Sequence, residues 1–153
     1  MAARAGAGDD DARAAARAAA RADHSGTGWG SPLGLNGWGP NINTIRDPKY
    51  GRNSELPSED PTLNGEYAVQ VVRGIQEGDD PRWPLKIHAT LKHYTAYSVE
   101  TNRFGFIGNV STYDVYDSFL PQYALAFQKG RAAGVMCSYM SMRIQGTYKD
   151  PCC

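Results

Sequence analysis

The order of apolar segments in this chain of 153 residues predicts an α/β fold: parallel β/α units that form part of an incomplete TIM-type (β/α)8 barrel. Short apolar runs of strand length alternate with longer runs of helical period. The crossovers between the strands are long enough to make neighbouring strands parallel. Because a closed eight-stranded barrel takes roughly 250 residues, the chain accounts for only part of one.

Three short apolar runs are the predicted strands. The first, residues 42–45, opens into a basic, Gly-containing loop. The second, residues 85–91, ends in Lys92 and His93. The third, residues 135–139, is expected to be a strand buried on both faces.

The first helix is predicted from its starting residues. Asp60 is suited to the N-cap, and Pro61 occupies the first helical position. Gly78 and the Asp-Asp-Pro run after it are expected to end the helix. Its apolar face is expected from a four-residue repeat: Leu63, Tyr67, Val71 and Ile75.

A polar loop over residues 97–109 leads to a second helical region in two parts. Ser111 followed by Asp114 is a capping-box-like start. Since Pro121 cannot lie inside a continuous helix, a short turn and a separate helix over residues 121–129 are expected. The apolar face of that helix is expected from Leu120, Ala124 and Phe127.

The composition argues against several classes of protein. Sixteen basic and sixteen acidic side chains cancel, which gives no support for nucleic acid as a partner. No apolar stretch reaches the roughly 18 residues that cross a membrane, so no membrane partner is expected either. Residues 1–28, rich in Ala, Arg and Asp, are expected to be a disordered leader, with residues 29–153 forming the partial barrel domain.

The chain has three cysteines, Cys137, Cys152 and Cys153. Their spacing matches no zinc pattern and no histidine cluster accompanies them, so we expect no metal, and we expect no cofactor. Two interpretations stay open. Either Cys137 forms a disulfide with Cys152 or Cys153, or all three thiols are free.

Polar side chains end each predicted strand segment. Arg52, Lys92, His93 and Tyr139 would emerge at the carboxyl edge of one sheet, where α/β proteins place their binding sites. Three donors and a phenol suit a ligand that is rich in hydroxyl groups or negatively charged. The alternatives are solvated surface charges for the Arg and Lys, a structural core histidine, and a packing role for the tyrosine.

Three motifs in order carry a family resemblance. Residues 40–61 contain Pro-Asn-Ile-Asn, then Arg-Asp-Pro-Lys-Tyr-Gly-Arg, then a Glu-containing stretch to Glu-Asp-Pro. Residues 92–94 are Lys-His-Tyr and residues 135–139 are Val-Met-Cys-Ser-Tyr. With these motifs the sequence resembles glycoside hydrolase family 3, the β-glucosidase and β-xylosidase family, and is most similar to its plant and fungal β-xylosidase-like members.

The resemblance implies a retaining β-glycosidase that removes terminal non-reducing β-D-xylosyl or β-D-glucosyl residues from oligosaccharides or glycosides. In that family the positions of Arg52, Lys92, His93 and Tyr139 line the subsite for the terminal sugar. The alternative is a catalytically inactive fragment that keeps only part of this subsite. The resemblance also suggests an extracellular location, although no secretory signal is recognisable.

The resemblance places both catalytic carboxylates beyond residue 153, so no residue is assigned to catalysis. The acidic stretch with Glu55, Glu59 and Asp60 would be structural in the family. Departures from the family pattern are Asn53 and Ser58 in place of Gly, Ser98 in place of Asp, and Met140 in place of Asn. The sequence Asn109-Val110-Ser111 matches a glycosylation sequon, and the alternative is a chance match, since three-residue matches occur by chance.

Overall fold

The computed structural model of the protein describes residues 35–78, 85–144 and the backbone of 147–149. The predicted leader, Cys152 and Cys153 lie outside the described residues. The strands are β1 (Asn36–Gly37), β2 (His88–Tyr94), β3 (Ile107–Val110), β4 (Gly134–Cys137), β5 (Ser141–Ile144) and β6 (Thr147–Lys149). The helices are α1 (Pro61–Gln76), α2 (Thr112–Asp114, continued by a π-helical turn, Val115–Phe119) and α3 (Pro121–Gln128).

The main sheet has the order β1-β2-β4, and both of its pairings are parallel. Helix α1 connects β1 to β2, and α2 and α3 connect β2 to β4. The core contains apolar residues of β2 and of α1, with Ile42, Tyr123 and Ala126. The prediction of parallel β/α units in an incomplete barrel is confirmed.

The predicted first strand at residues 42–45 is wrong, because the parallel pairing lies earlier, in β1 and at a single bridge between Asn41 and Lys92. The side chain of Asn43 explains the difference. Its Nδ2 donates to the His93 carbonyl at 2.9 Å, and its Oδ1 accepts from the His93 amide at 2.8 Å. A side-chain amide therefore makes the hydrogen bonds that a continued strand would have made.

The other two strands also differ from their predicted bounds. β2 begins at His88 and continues through Lys92 and His93, so this pair lies within the strand and not after it. β4 ends at Cys137, and the side chain of Val135 is 37% exposed. The prediction that this third strand is buried on both faces is wrong, because Val135 and Cys137, which share one face of β4, are exposed.

Helix α1 begins as predicted but packs through another face. Asp60 is the N-cap, since its Oδ1 accepts from the amides of Thr62 at 2.6 Å and Leu63 at 3.1 Å. Leu63 and Tyr67 are exposed, however, whereas Val71 and Ile75 are buried. The packing face passes through Gly65, where an added Cβ would lie 2.8 Å from Leu125 Cδ2 of α3. The absence of a side chain there lets the two helices approach closely.

The second helical region also begins as predicted. Ser111 caps α2, because its Oγ accepts from the Asp114 amide at 3.0 Å. Pro121 opens α3. The predicted apolar face of α3 is wrong, because Ala124 and Phe127 are exposed, while the buried residues are Gln122, Tyr123 and Ala126.

Hydrogen bonds explain why polar side chains of α3 point inward. The Tyr123 hydroxyl donates to the His93 carbonyl at 2.8 Å, and Gln122 Nε2 donates to the Ser118 carbonyl at 3.1 Å. A hydrogen-bonded polar group can be buried at little cost.

A second small sheet was not expected from the sequence. It has the order β3-β5-β6, with β3 and β5 parallel and β5 and β6 antiparallel. Strand β3 lies at the end of the segment predicted as a polar loop. None of the helices in the part of the chain that the structure describes has the length and apolar character needed to span a membrane.

Candidate binding site at the carboxyl edge of the sheet

The loop after β1 places Arg52 beside Glu55. Arg52 Nε lies 2.7 Å from Glu55 Oε1 and its Nη2 lies 2.9 Å from Oε2, a bidentate ion pair. Gly51 precedes the arginine with φ of 97°, a conformation that glycine adopts without strain. Asn53 holds the loop, since its Nδ2 donates to the Asp47 carbonyl at 2.9 Å.

Lys92 approaches the same carboxylate from β2. Its Nζ lies 3.5 Å from Glu55 Oε2, and Asn41 Nδ2 donates to that oxygen at 3.3 Å. Burial raises the pKa of Glu55, but hydrogen bonds from Arg52 and Asn41 and the charges of Arg52 and Lys92 outweigh burial and lower it to about 2. Glu55 is therefore ionised at neutral pH and holds both cations.

His93 lies beneath this cluster, with only 3% of its surface exposed. Its Nε2 is 3.4 Å from Arg52 Nη1. Because a guanidinium can only donate, Nε2 accepts and Nδ1 carries the hydrogen. Burial and the charges of Arg52 and Lys92 lower the pKa of His93 to about 4, so the ring is neutral. Its buried Nδ1 has no hydrogen-bond partner among the described residues.

Tyr139 does not contact this cluster directly. Half of its surface is exposed, and its ring packs against Phe104 with centroids 4.8 Å apart. The Arg103 guanidinium lies 4.7 Å from the Tyr139 ring centroid and 2.8 Å from Glu100 Oε1. Glu100 Oε2 in turn lies 3.9 Å from Arg52 Nη1. Tyr139 is therefore connected to Arg52 through two ion pairs.

The structure brings together three of the four predicted residues and adds four that sequence reasoning missed: Asn41, Tyr97, Glu100 and Arg103. Tyr97 is fully buried, packs against the His93 ring in a tilted arrangement with centroids 4.9 Å apart and donates its hydroxyl hydrogen to Glu100. Asn41 could have been found, because it lies in the Pro-Asn-Ile-Asn motif. Glu100 and Arg103 lie in a polar loop with no pattern that marks them.

The structure shows the surroundings of three residues that depart from the family pattern. Ser58 Oγ accepts from the Asp60 amide at 3.0 Å and donates to Asn64 Oδ1 at 2.7 Å, so the serine supports the start of α1. Met140 is buried against Tyr50 and Tyr97. Ser98 Oγ is buried without a hydrogen-bond partner among the described residues.

The carboxylates in and near this cluster have structural partners. Glu55 is ion-paired with Arg52 and Lys92, Glu100 with Arg103, and Asp60 caps α1. Within residues 35–78 and 85–144 no group of three or more His, Cys, Asp or Glu side chains could hold a metal ion. The arrangement offers charged donors at a sheet edge and suits binding of hydroxyl oxygens.

Cys137 at the end of β4 is disulfide-bonded. Cys152 and Cys153, the two candidate partners, lie outside the described residues. The choice between them stays a prediction.

The sequence relatives of this chain include proteins named as xylosidases from plants and fungi. The chain is 44% identical over 124 residues to beta-D-xylosidase 3 of Arabidopsis thaliana, a match that covers 77% of this chain and 16% of the relative. It is 39% identical over 117 residues to the probable exo-1,4-beta-xylosidase bxlB of Aspergillus flavus, covering 74% of this chain and 15% of that protein. The chain thus spans about a sixth of the length of these relatives. No protein-family model matches the chain.

Solved structures agree with the sequence relatives. A GH3 exo-beta-xylosidase in complex with a xylobiose aziridine activity-based probe superimposes with a TM-score of 0.71 and 29% identity over 86% of this chain and 17% of that chain. Beta-glucosidase 3B from Thermotoga neapolitana, in complex with glucose, gives a TM-score of 0.61 and 32% identity over 72% of this chain and 14% of that chain. From the motifs, the parallel sheet and these relatives, the chain belongs to glycoside hydrolase family 3 and forms part of its barrel domain.

Proposed function

We propose that this chain provides donors of the sugar-binding subsite of a retaining β-glycosidase that releases terminal non-reducing β-D-xylosyl or β-D-glucosyl residues from oligosaccharides or glycosides. The observation that carries the proposal is the convergence of Arg52, Lys92 and His93 around Glu55. The named activities of the sequence relatives and the glucose complex of a similar structure support the choice of sugar.

The cluster suits a ligand that is rich in hydroxyl groups. Glu55 and Glu100 offset two of the three positive charges of Arg52, Lys92 and Arg103. A sugar hydroxyl can accept from a Lys or Arg head without a formal charge of its own, and such charge-assisted bonds are stronger than neutral ones. Neutral His93 supports the cluster from below, since its Nε2 accepts from Arg52 Nη1 at 3.4 Å.

Glu55 positions the donors and is not the nucleophile. Retaining hydrolysis needs a carboxylate free to attack the anomeric carbon and a second carboxyl about 5 Å away. Two cations bind Glu55, so its carboxylate is not free to attack, and its pKa of about 2 excludes the acid/base role, which needs a raised pKa. We therefore assign binding to this segment and assign the two catalytic carboxylates to other parts of a longer protein.

We extend the proposal to an extracellular location. The disulfide at Cys137 supports it, because disulfides persist in oxidising compartments. The pairing of Cys137 with Cys152 or Cys153 is part of this proposal. Non-reducing peptide mapping would test it, and three freely alkylated thiols in oxidised material would contradict it.

The subsite is tested in a chimera in which residues 35–144 replace the matching segment of Arabidopsis beta-D-xylosidase 3. Lys92→Ala should lower kcat/KM for an aryl β-xyloside at least 30-fold, about 2 kcal/mol, since it removes a charged donor from the transition state. The matched control is Lys129→Ala, because Lys129 is an exposed lysine paired with Glu66 at 3.5 Å. A decrease in kcat/KM of less than threefold for Lys92→Ala would contradict the assignment of Lys92 to sugar binding.

A further inference from the structure

We propose that Asn109 is an N-glycosylation site. Asn109-Val110-Ser111 satisfies the acceptor sequence Asn-X-Ser with a residue other than proline in the middle. No other Asn in the chain is followed two positions later by Ser or Thr. The proposal is independent of the sugar-binding role above and rests on the proposed extracellular location.

The fold leaves the acceptor amide accessible. Asn109 lies in β3, where exposed and half-buried residues alternate, and it shares the exposed face with Ile107. No hydrogen bond or ion pair joins its side chain to the other described residues. Its neighbour Val110 packs toward the cluster of Ala96, Phe119 and Met142, so the amide points away from that core. A glycan on Nδ2 would extend into solvent.

Strand β3 also has room on its outer side. In the small sheet it pairs with β5 only, so among the described strands it is an edge. Its parallel partner residue for Asn109 is Arg143, which is exposed.

The hydroxyl of the sequon has a second role after folding. Ser111 Oγ accepts from the Asp114 amide at 3.0 Å and donates to Asp114 Oδ2 at 2.6 Å, which caps α2. The hydroxyl is therefore engaged in the folded protein, and transfer takes place on the extended chain before α2 forms. Threonine at this position would keep both functions, because it also caps helices.

The transfer step uses a lipid-pyrophosphate-linked oligosaccharide as the glycosyl donor. The Asn109 Nδ2 forms a bond to the anomeric C1 of the first N-acetylglucosamine while the bond from C1 to the phosphate oxygen breaks. The lipid pyrophosphate leaves with the electron pair, and Nδ2 loses one proton. This donor is encountered in the same oxidising compartment in which the Cys137 disulfide forms.

The test is translation of the whole chain, behind a cleavable secretion signal, in the presence of endoplasmic reticulum microsomes. The wild-type chain should gain one glycan that an endoglycosidase removes, and Ser111→Thr should keep it. Asn109→Gln should abolish it. The matched control is Asn53→Gln, because Asn53 is followed by Ser54 but has Glu55 at the third position.

The exposed position of Asn109 can be tested by a separate measurement. Protein released from the microsomes should lose its glycan to endoglycosidase without denaturant to the same extent as after denaturation. An unmodified wild-type chain, or a glycan that remains in Asn109→Gln, would contradict the assignment of Asn109 as the glycosylation site. Release only after denaturation would overturn the exposed position of Asn109.

Discussion

At the scale of single residues, the cluster around Glu55 depends on the protonation states of Glu55 and His93. Glu55 is ionised because Arg52, Asn41 and Lys92 surround it, and His93 is neutral because it is buried beside two cations. Protonation of either residue would alter the hydrogen bonds and ion pairs of the cluster. Acid is therefore the condition that should disturb the cluster first.

The pH dependence of stability follows from His93. Its folded pKa of about 4 lies below the unfolded value near 6.5, so between these values the unfolded chain binds the extra proton. The contribution of His93 to the free energy of unfolding is therefore complete above pH 6.5. It falls as the pH drops toward 4, by up to about 3 kcal/mol. Glu55, whose pKa is also depressed, extends the loss below pH 4.5.

Urea denaturation of the chimera with Arabidopsis beta-D-xylosidase 3 across this range provides the measurement. His93→Gln should flatten the dependence between pH 6.5 and 4. His88→Gln is the matched control, because it makes the same replacement at an exposed histidine at the start of β2. Equal pH dependence in the wild type and in His93→Gln would show that His93 does not titrate as described.

The binding residues could be predicted from the sequence only where a motif marks them. Arg52, Lys92 and His93 each end a recognisable run, and the structure brings them within hydrogen-bonding or ion-pair distance of one another or of Glu55. Their role in binding sugar stays a prediction. Glu100 and Arg103 could not be predicted, because their importance comes from contacts with residues distant in sequence and not from local spacing.

At the scale of elements, starts of helices were predictable and packed faces were not. A cap depends on residues within one turn, and both Asp60 and Ser111 act as predicted. A buried face depends on what packs against it. Gly65 lets α3 approach α1 closely, and this shifts the contact away from Leu63 and Tyr67.

The Asp60 cap can be tested in a peptide of residues 57–78. Asp60→Ala should reduce helix content measured by far-ultraviolet circular dichroism, because two amides at the start of α1 lose their acceptor, a cost of about 1 kcal/mol. Glu59→Ala is the control, since it removes the adjacent exposed carboxylate but not the cap. Equal helix content in the two variants would contradict the capping role.

At the scale of the whole molecule, several large apolar side chains of the described residues are exposed. Leu35 is 74% exposed, Trp38 59% and Phe104 73%. Strands β1 and β4 are the edges of the main sheet in the part described. Unpaired edges next to apolar surface promote association between chains.

We expect the isolated chain to bind the dye ANS strongly and to self-associate. Val135→Lys should reduce both, because it places a charge on the β4 edge where a side chain is already 37% exposed. Gln128→Lys adds the same charge at an exposed position of α3 and should have little effect. A monodisperse monomer with a cooperative melt and weak dye binding would refute this expectation.

We also expect the 153-residue chain to release no nitrophenol from aryl β-xylosides or β-glucosides. The carboxylates of the described site are ion-paired or cap a helix, and binding donors cannot replace a missing nucleophile. Purified protein should show no turnover above the uncatalysed rate. Turnover that Glu55→Gln abolishes would mean that Glu55 is catalytic and that its positioning role is wrong.

The pairing order of the main sheet has a consequence during synthesis. β1, β2 and β4 pair in the order in which they leave the ribosome, each new strand joining the one made before it. Translation adds about 5–20 residues per second, so seconds pass between the emergence of one strand and the next. During each interval the newest strand is the growing edge. The nascent chain can thus assemble the donor cluster of Arg52, Lys92 and His93 as soon as β2 has emerged, before β4 has been translated.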